Sequence, residues 1–297
     1  MIFFSYLFAE LILLVSFLLM VAFYTLFERK VMGLSQSRLG PSKVLLKGVG
    51  QPFSDVMKLL SKMSLSRSNE EELWYTLAPC MMMIVSVSVL GALPFYFFPS
   101  YQTSGVIIMF LLSVSAFWLT LSGWFSNSSY STLGACRSVS QSLSFEIPLA
   151  LCFISLFLIS KSLSVRDWGQ LELTVLLVAP WSGLILLFSF IAEAGRSPFD
   201  LPESESELVS GFNVEYGGLL FTLIFLSETL MMLVISSMFS IIFLHQCEGW
   251  RFVLSLFILT LIRPSVPRIR FDQAMTAAWL SMTPTAISAV FLSSMWS

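Results

Sequence analysis

The chain has 297 residues, of which 56% are hydrophobic and 11% charged, with 28 Phe and a formal net charge of −2. Soluble domains carry about a quarter charged residues, so this composition excludes a soluble globular protein and points to an all-α integral membrane protein. The near-neutral balance also excludes nucleic acid as a partner, because a phosphate backbone demands concentrated Lys and Arg.

The N-terminus runs apolar over residues 2–27 and has neither a basic leader nor a small-residue cleavage site, so it reads as a retained span. The absence of an Arg-rich leader suits synthesis inside the organelle where the protein works. Further apolar runs lie at roughly 75–98, 105–125, 143–160, 173–192, 217–240, 246–265 and 276–296, which predicts about eight transmembrane helices in one polytopic domain. The seventh is the shortest. Only FVLSLFILTLI separates Arg251 from Arg263, about 16 Å of helix, so it must extend through polar residues or lean on neighbours. Of the 16 Lys and Arg residues, all but Lys161, Arg166 and Arg251 fall in the loops after spans 1, 3, 5 and 7, with Arg263 counted there from the far end of span 7. That bias puts those loops on the inner side and both termini outside.

Three inner loops are expected to be structured. The first, residues 28–74, contains GQPFSDVMKLLSKM, where Phe53, Val56, Met57, Leu60 and Met63 recur at helical spacing while Asp55, Lys58 and Lys62 share another face. It reads as an amphipathic helix, either lying in the membrane interface or packed on protein. The second loop, GWFSNSSYSTLGACRSVSQSLSFEIP, is polar through hydroxyls rather than charge. The third, residues 193–216, concentrates acid in an otherwise apolar chain.

Asp200 and Glu203 flank Pro202 in a helix-start pattern, so capping accounts for that pair. Glu205 and Glu207 are not explained by a cap, and Glu203 and Glu207 four apart on a helix would repel; a solvated acidic loop is the alternative. Glu146, Glu193, Glu215 and Glu228 lie at or within spans. Glu228 sits about mid-depth, where a charge costs roughly 3 kcal/mol and faces a wet cavity or a partner. Proton exchange is one reading; pairing with an arginine or another subunit is the other. Cys80, Cys136, Cys152 and Cys247 are unclustered and His245 is the single histidine, so no iron–sulfur, zinc or paired-histidine site can be drawn. No dinucleotide or ATP motif is present either.

Taken together, FERKVMGLSQSRLGPSKVLLKGVGQPFSDVMKLLSK, GWFSNSSYSTLGACRSVSQSLSFEIPLAL, AEAGRSPFDLPESESELVSGFNVEYGG and PRIRFDQAMTAAW resemble the signature blocks of the NADH:ubiquinone oxidoreductase chain 1 family, the heel subunit of respiratory complex I. The blocks occupy all four inner loops in the family's order. The resemblance implies a multi-pass subunit of the mitochondrial inner membrane, within a proton-pumping complex of membrane-arm and hydrophilic-arm subunits. It implies that ubiquinone is a substrate contacted in the complex, that this chain binds no cofactor alone, and that flavin and iron–sulfur clusters belong to partner subunits. Carried over residue by residue, Arg29, Arg38 and Asp55 would belong to the quinone tunnel and entrance, together with the apolar stripe of Phe53, Met57 and Leu60. Arg196, Asp200, Glu203, Glu205 and Glu207 would form a coupling loop. Glu146, Glu193, Glu215 and Glu228 would line a proton path, and Arg270 and Asp272 would join an inner-side network.

The chain departs from the family's pattern at Met63 and Ser64, where an acid and a proline are usual. It departs again at Ala194 and Gly195, in place of a hydroxyl and an amide, and at Leu280, in place of a lysine. An independent cation/proton antiporter is a competing reading, but no repeat relates the two halves of the sequence; a membrane-bound hydrogenase component is a second. Labelling of single cysteines in sealed vesicles tests the topology. Cys247 is expected to react from the outer side with both termini, and Cys136 from the inner; termini reached from opposite sides would break the eight-span count.

Overall fold

The computed structural model describes residues 2–45, 48–62, 72–94, 102–169, 180–202, 211–244 and 249–296. Among these the chain is all-α. The helices are α1 (Ile2–Ser35), α2 (Gln51–Ser61), α3 (Glu72–Ala92), α4 (Ser104–Phe125), α5 (Ser129–Ser160), the single turn α6 (Val165–Trp168), α7 (Pro180–Glu193), α8 (Gly218–Leu244), α9 (Gly249–Ser265) and α10 (Phe271–Trp296), with a 3₁₀ turn at Gly211–Asn213. Five of them, α3, α4, α5, α8 and α10, are long and apolar enough to cross a membrane by length and composition. The described part of α7 is a shorter apolar helix of 14 residues.

Two elements differ from the sequence expectation. The first inner loop begins later, because α1 runs on to Ser35 and its 34 residues rise about 51 Å, well beyond a hydrocarbon core of about 30 Å. Its last two turns carry Glu28, Arg29 and Lys30 clear of the apolar run. The second loop is largely helix: α5 starts at Ser129, well before the span expected at 143. Serines are neutral or worse for helices when their hydroxyls compete for the backbone. Here the hydroxyls bond back to the helix itself, Ser138 to Ala135 O, Ser140 to Arg137 O, Ser142 to Val139 O and Ser144 to Gln141 O, at 2.7–3.0 Å. A helix rich in hydroxyls can then pack inside the bundle without orphaned donors.

The bundle is built around α5 and α8. α5 packs against α4, α7 and α10, while α8 packs against α3, α9 and α1. Large side chains fill the core between them, among them Phe145, Phe153, Trp168, Leu186, Phe190 and Ile235. The expected weakness of span 7 is met by neighbours. α9 has 17 residues, about 25 Å; its Ser255 hydroxyl donates to Ser236 O of α8 at 2.9 Å, and its Arg263 pairs with the buried Glu28 of α1.

Association of helices in lipid rests on close packing rather than on the hydrophobic effect, and two glycines mark points of close approach. A Cβ on Gly123 would come 2.8 Å from the Ala135 methyl, and one on Gly134 would come 2.8 Å from Phe212 N. Together they let the 3₁₀ turn seat Phe212 between α4 and α5. Gly134→Val is expected to destabilise this junction by about 1–3 kcal/mol, read as a lower thermal midpoint or reduced yield of assembled protein. An unchanged midpoint would show that the turn yields freely.

Candidate functional site

At its C-terminal end α7 breaks where Gly195 takes a left-handed conformation (φ 60°), after its N–H has bonded to Ala192 O. Glycine and asparagine both tolerate that region, so the departure from the family's amide at this position leaves the backbone turn intact. The turn is clamped from α5. The buried Gln141 donates through Nε2 to both Ala192 O and Phe199 O at 2.8 Å, tying the end of the helix to the segment that follows it.

This arrangement lines a partly open cavity of about 90 Å³ between α3, α4, α5 and α8, bordered by residues 192–195, Pro202 and Phe212. Glu193 and Glu228 both line it, as do Ser138, Gln141 and Ser142 of α5 and Ser115 of α4. One water needs about 10–15 Å³ of such space and two to four polar partners, so the cavity accommodates a short chain of waters. Gln141 Oε1 is buried without a hydrogen-bond partner in the protein. Glu146, half-buried one turn further along α5, lies within electrostatic reach of Glu193. Three of the four acids expected at or within spans therefore gather here. Glu215 does not: its side chain is exposed, and its carbonyl accepts from the Tyr75 hydroxyl at 2.8 Å beside the stacked Tyr75–Tyr216 pair.

The residues after α7 connect the cavity to the segment that precedes α10. The carboxylate of Asp200, itself largely buried, accepts from Arg268 Nη2 at 3.0 Å, and Ile269 N–H donates to Pro198 O at 3.2 Å. Arg196 lies near a second cluster formed by Tyr24, Glu28 and Arg263. Glu203, Glu205 and Glu207 lie outside the described residues. Arg270 and Asp272 are exposed at the start of α10; the cation that reaches the acidic segment is Arg268 instead.

In the first loop, Arg29 Nη1 pairs with Asp55 Oδ2 at 2.7 Å, and Gln51 Nε2 donates to Asp55 Oδ1 at 3.0 Å. The pair fixes α2 across the end of α1, with Phe53 edge-on to Phe23. The stripe of Phe53, Val56, Met57 and Leu60 is exposed, so the described part of this chain does not cover it. Met63, expected to extend the stripe, lies outside the described residues. Arg38 is exposed on the loop after α1.

Sequence reasoning did not single out Gln141, Glu28, Arg263 or Arg268 as site residues. The one available signal was a carboxylate, Glu28, adjacent to Arg29 at the end of an apolar run. A double-mutant cycle of Asp200→Asn with Arg268→Gln measures the link between the two loops. The expected coupling is about 1–2 kcal/mol, discounted from a fully buried pair because Arg268 is partly exposed; purely additive effects would mean the pair holds nothing together.

The model of the NADH dehydrogenase family matches residues 8–294. The chain is 37% identical to NADH-ubiquinone oxidoreductase chain 1 of Locusta migratoria, over 95% of this chain and 92% of the relative. It is 36% identical to the protein of the same name from Pecten maximus, over 93% and 84%. An NADH-quinone oxidoreductase subunit of Rhodospirillum centenum is 34% identical over 95% and 90%. Matched along almost its whole length, by the family and by relatives of comparable size, this all-α chain with its multiple long apolar helices belongs to the NADH dehydrogenase family.

Proposed function

We propose that this chain is the membrane-arm heel subunit of a proton-pumping NADH:ubiquinone oxidoreductase. In this reading it crosses the mitochondrial inner membrane eight times, forms part of the quinone tunnel and its entrance, and couples quinone reduction to proton translocation. Partner subunits carry the flavin and iron–sulfur clusters. The observation that supports coupling most directly is the cavity lined by both Glu193 and Glu228, and by Pro202 of the segment that carries Asp200.

The mechanism follows from charge. Quinone reduction adds negative charge and a demand for protons at the tunnel. The Asp200–Arg268 pair and the Arg196, Glu28 and Arg263 cluster sit between the inner loops and respond to that charge over a few ångströms, where low dielectric strengthens it. A shift of residues 196–202 is passed through the Gln141 clamp to the end of α7, and so to Glu193. Closely spaced carboxylates titrate as a group, so a proton taken by one alters the others. Waters between Glu193 and Glu228 would carry that proton toward the centre of the bundle. The exposed apolar stripe of α2, held by Arg29–Asp55, suits the entrance for a long isoprenoid tail at the membrane surface.

Glu228→Gln in the assembled complex is expected to lower quinone reduction and proton pumping together, by about tenfold or more. NADH oxidation by a hydrophilic acceptor at the flavin should stay near its original rate. Normal pumping in a fully assembled Glu228→Gln complex would reduce the cavity to a packing feature.

A further inference from the structure

At the opposite end of α4 and α5 from the turn at 126–128, a second and larger cleft opens, of about 650 Å³. It is formed where the chain enters α4 and where it leaves α5 for α6. The base of the cleft is fixed. Gly105 N–H donates to Leu163 O at 3.0 Å and Val165 N–H donates to Ser104 Oγ at 2.9 Å. A Cβ on Gly105 would meet the Phe157 ring at 2.7 Å, and Trp168 beneath is buried against Phe153 and Phe157.

The walls are polar and carry opposite charges. Arg166 is exposed into the cleft's lining and makes no ion pair among the described residues. Next to it, Asp167 accepts a hydrogen bond from the Ser164 hydroxyl, which orients its carboxylate. Gln102 and Thr103 line the other side. Ser162 lines it too, and its buried Oγ has no hydrogen-bond partner in the protein. Arg166 is moreover one of only three basic residues on the side of the chain that is poor in them, and Lys161 is another, five residues away. A cleft for a simple anion has no use for a carboxylate in its wall. A cation and an anion side by side fit a ligand that carries both charges.

We propose that this cleft holds a phosphoethanolamine group, with its phosphate on Arg166 and the Ser162 hydroxyl and its primary ammonium on Asp167. A quaternary ammonium has no N–H to give to Asp167 and is recognised by aromatic rings; among the described residues no aromatic side chain lines the cleft. Its position, at the ends of two membrane-length helices, is headgroup level, so the source is a zwitterionic phospholipid. Free phosphoethanolamine shares the chemistry.

The test uses the assembled complex in phosphatidylcholine vesicles doped with a photoreactive phosphatidylethanolamine, with adducts mapped by mass spectrometry. Adducts are expected at 102–103 and 162–167, reduced about tenfold by Arg166→Gln, a substitution of an exposed residue that leaves packing intact. Asp167→Asn should erase the preference for phosphatidylethanolamine over phosphatidylcholine. Competition by unlabelled phosphatidylethanolamine alone supports a lipid source. Competition by free phosphoethanolamine as well supports the site with a soluble ligand. Adducts unchanged in Arg166→Gln, or competed equally by phosphatidylcholine or phosphatidylglycerol, overturn the proposal.

Discussion

Hydrocarbon offers no hydrogen bonds, so every polar group carried into the interior of this bundle must find its partner within the protein or in enclosed water. The architecture follows from that constraint. It is why the serines of α5 turn their hydroxyls onto their own helix, and why α9, too short to be comfortable alone, neutralises Arg263 on Glu28 and anchors Ser255 on α8. It also explains the Gln141 clamp. The break after α7 leaves the carbonyls of Ala192 and Phe199 with tight-turn bonds from Gly195 and Leu201 in place of helical ones, and one amide nitrogen adds a second bond to each.

Among the described residues, three ion pairs share a logic of their own. Each joins segments far apart in the chain: Arg29 with Asp55, Arg263 with Glu28, and Arg268 with Asp200. Pairs of this kind add little net stability when exposed, and their value lies in fixing which segments meet. Here they bind α2, α9 and the segment after α7 to one end of the bundle. Movement in any of these is felt by the others.

Hydropathy made most of the long helices legible, together with the amphipathic α2 and the isolated acids Glu193 and Glu228. It hid the first half of α5, because a serine-rich stretch has no apolar period and its stabilising bonds are local ones between hydroxyls and carbonyls. Gln141 was invisible for a different reason. A glutamine signals nothing until the fold brings the carbonyls of two separate turns to its amide. Arg268 read only as one more inner cation, since its pairing with Asp200 closes a separation of 68 residues. Charge type and depth can be read along a chain, but the choice of partner is decided by tertiary contact.

The cavity serines have one more consequence. Ser115, Ser138, Ser142 and Ser227 all spend their single donor on a carbonyl of their own helix, and Gln141 spends its amide on the α7 turn. What these side chains turn toward the cavity is therefore lone pairs. Water entering such a space is met by acceptors and gives hydrogen bonds to these side chains rather than taking them. A water that gives one hydrogen to the wall keeps the other for its neighbour, and an additional proton adds a donor to a space rich in acceptors. The wall is thus electrically tuned to welcome positive charge before any carboxylate changes state.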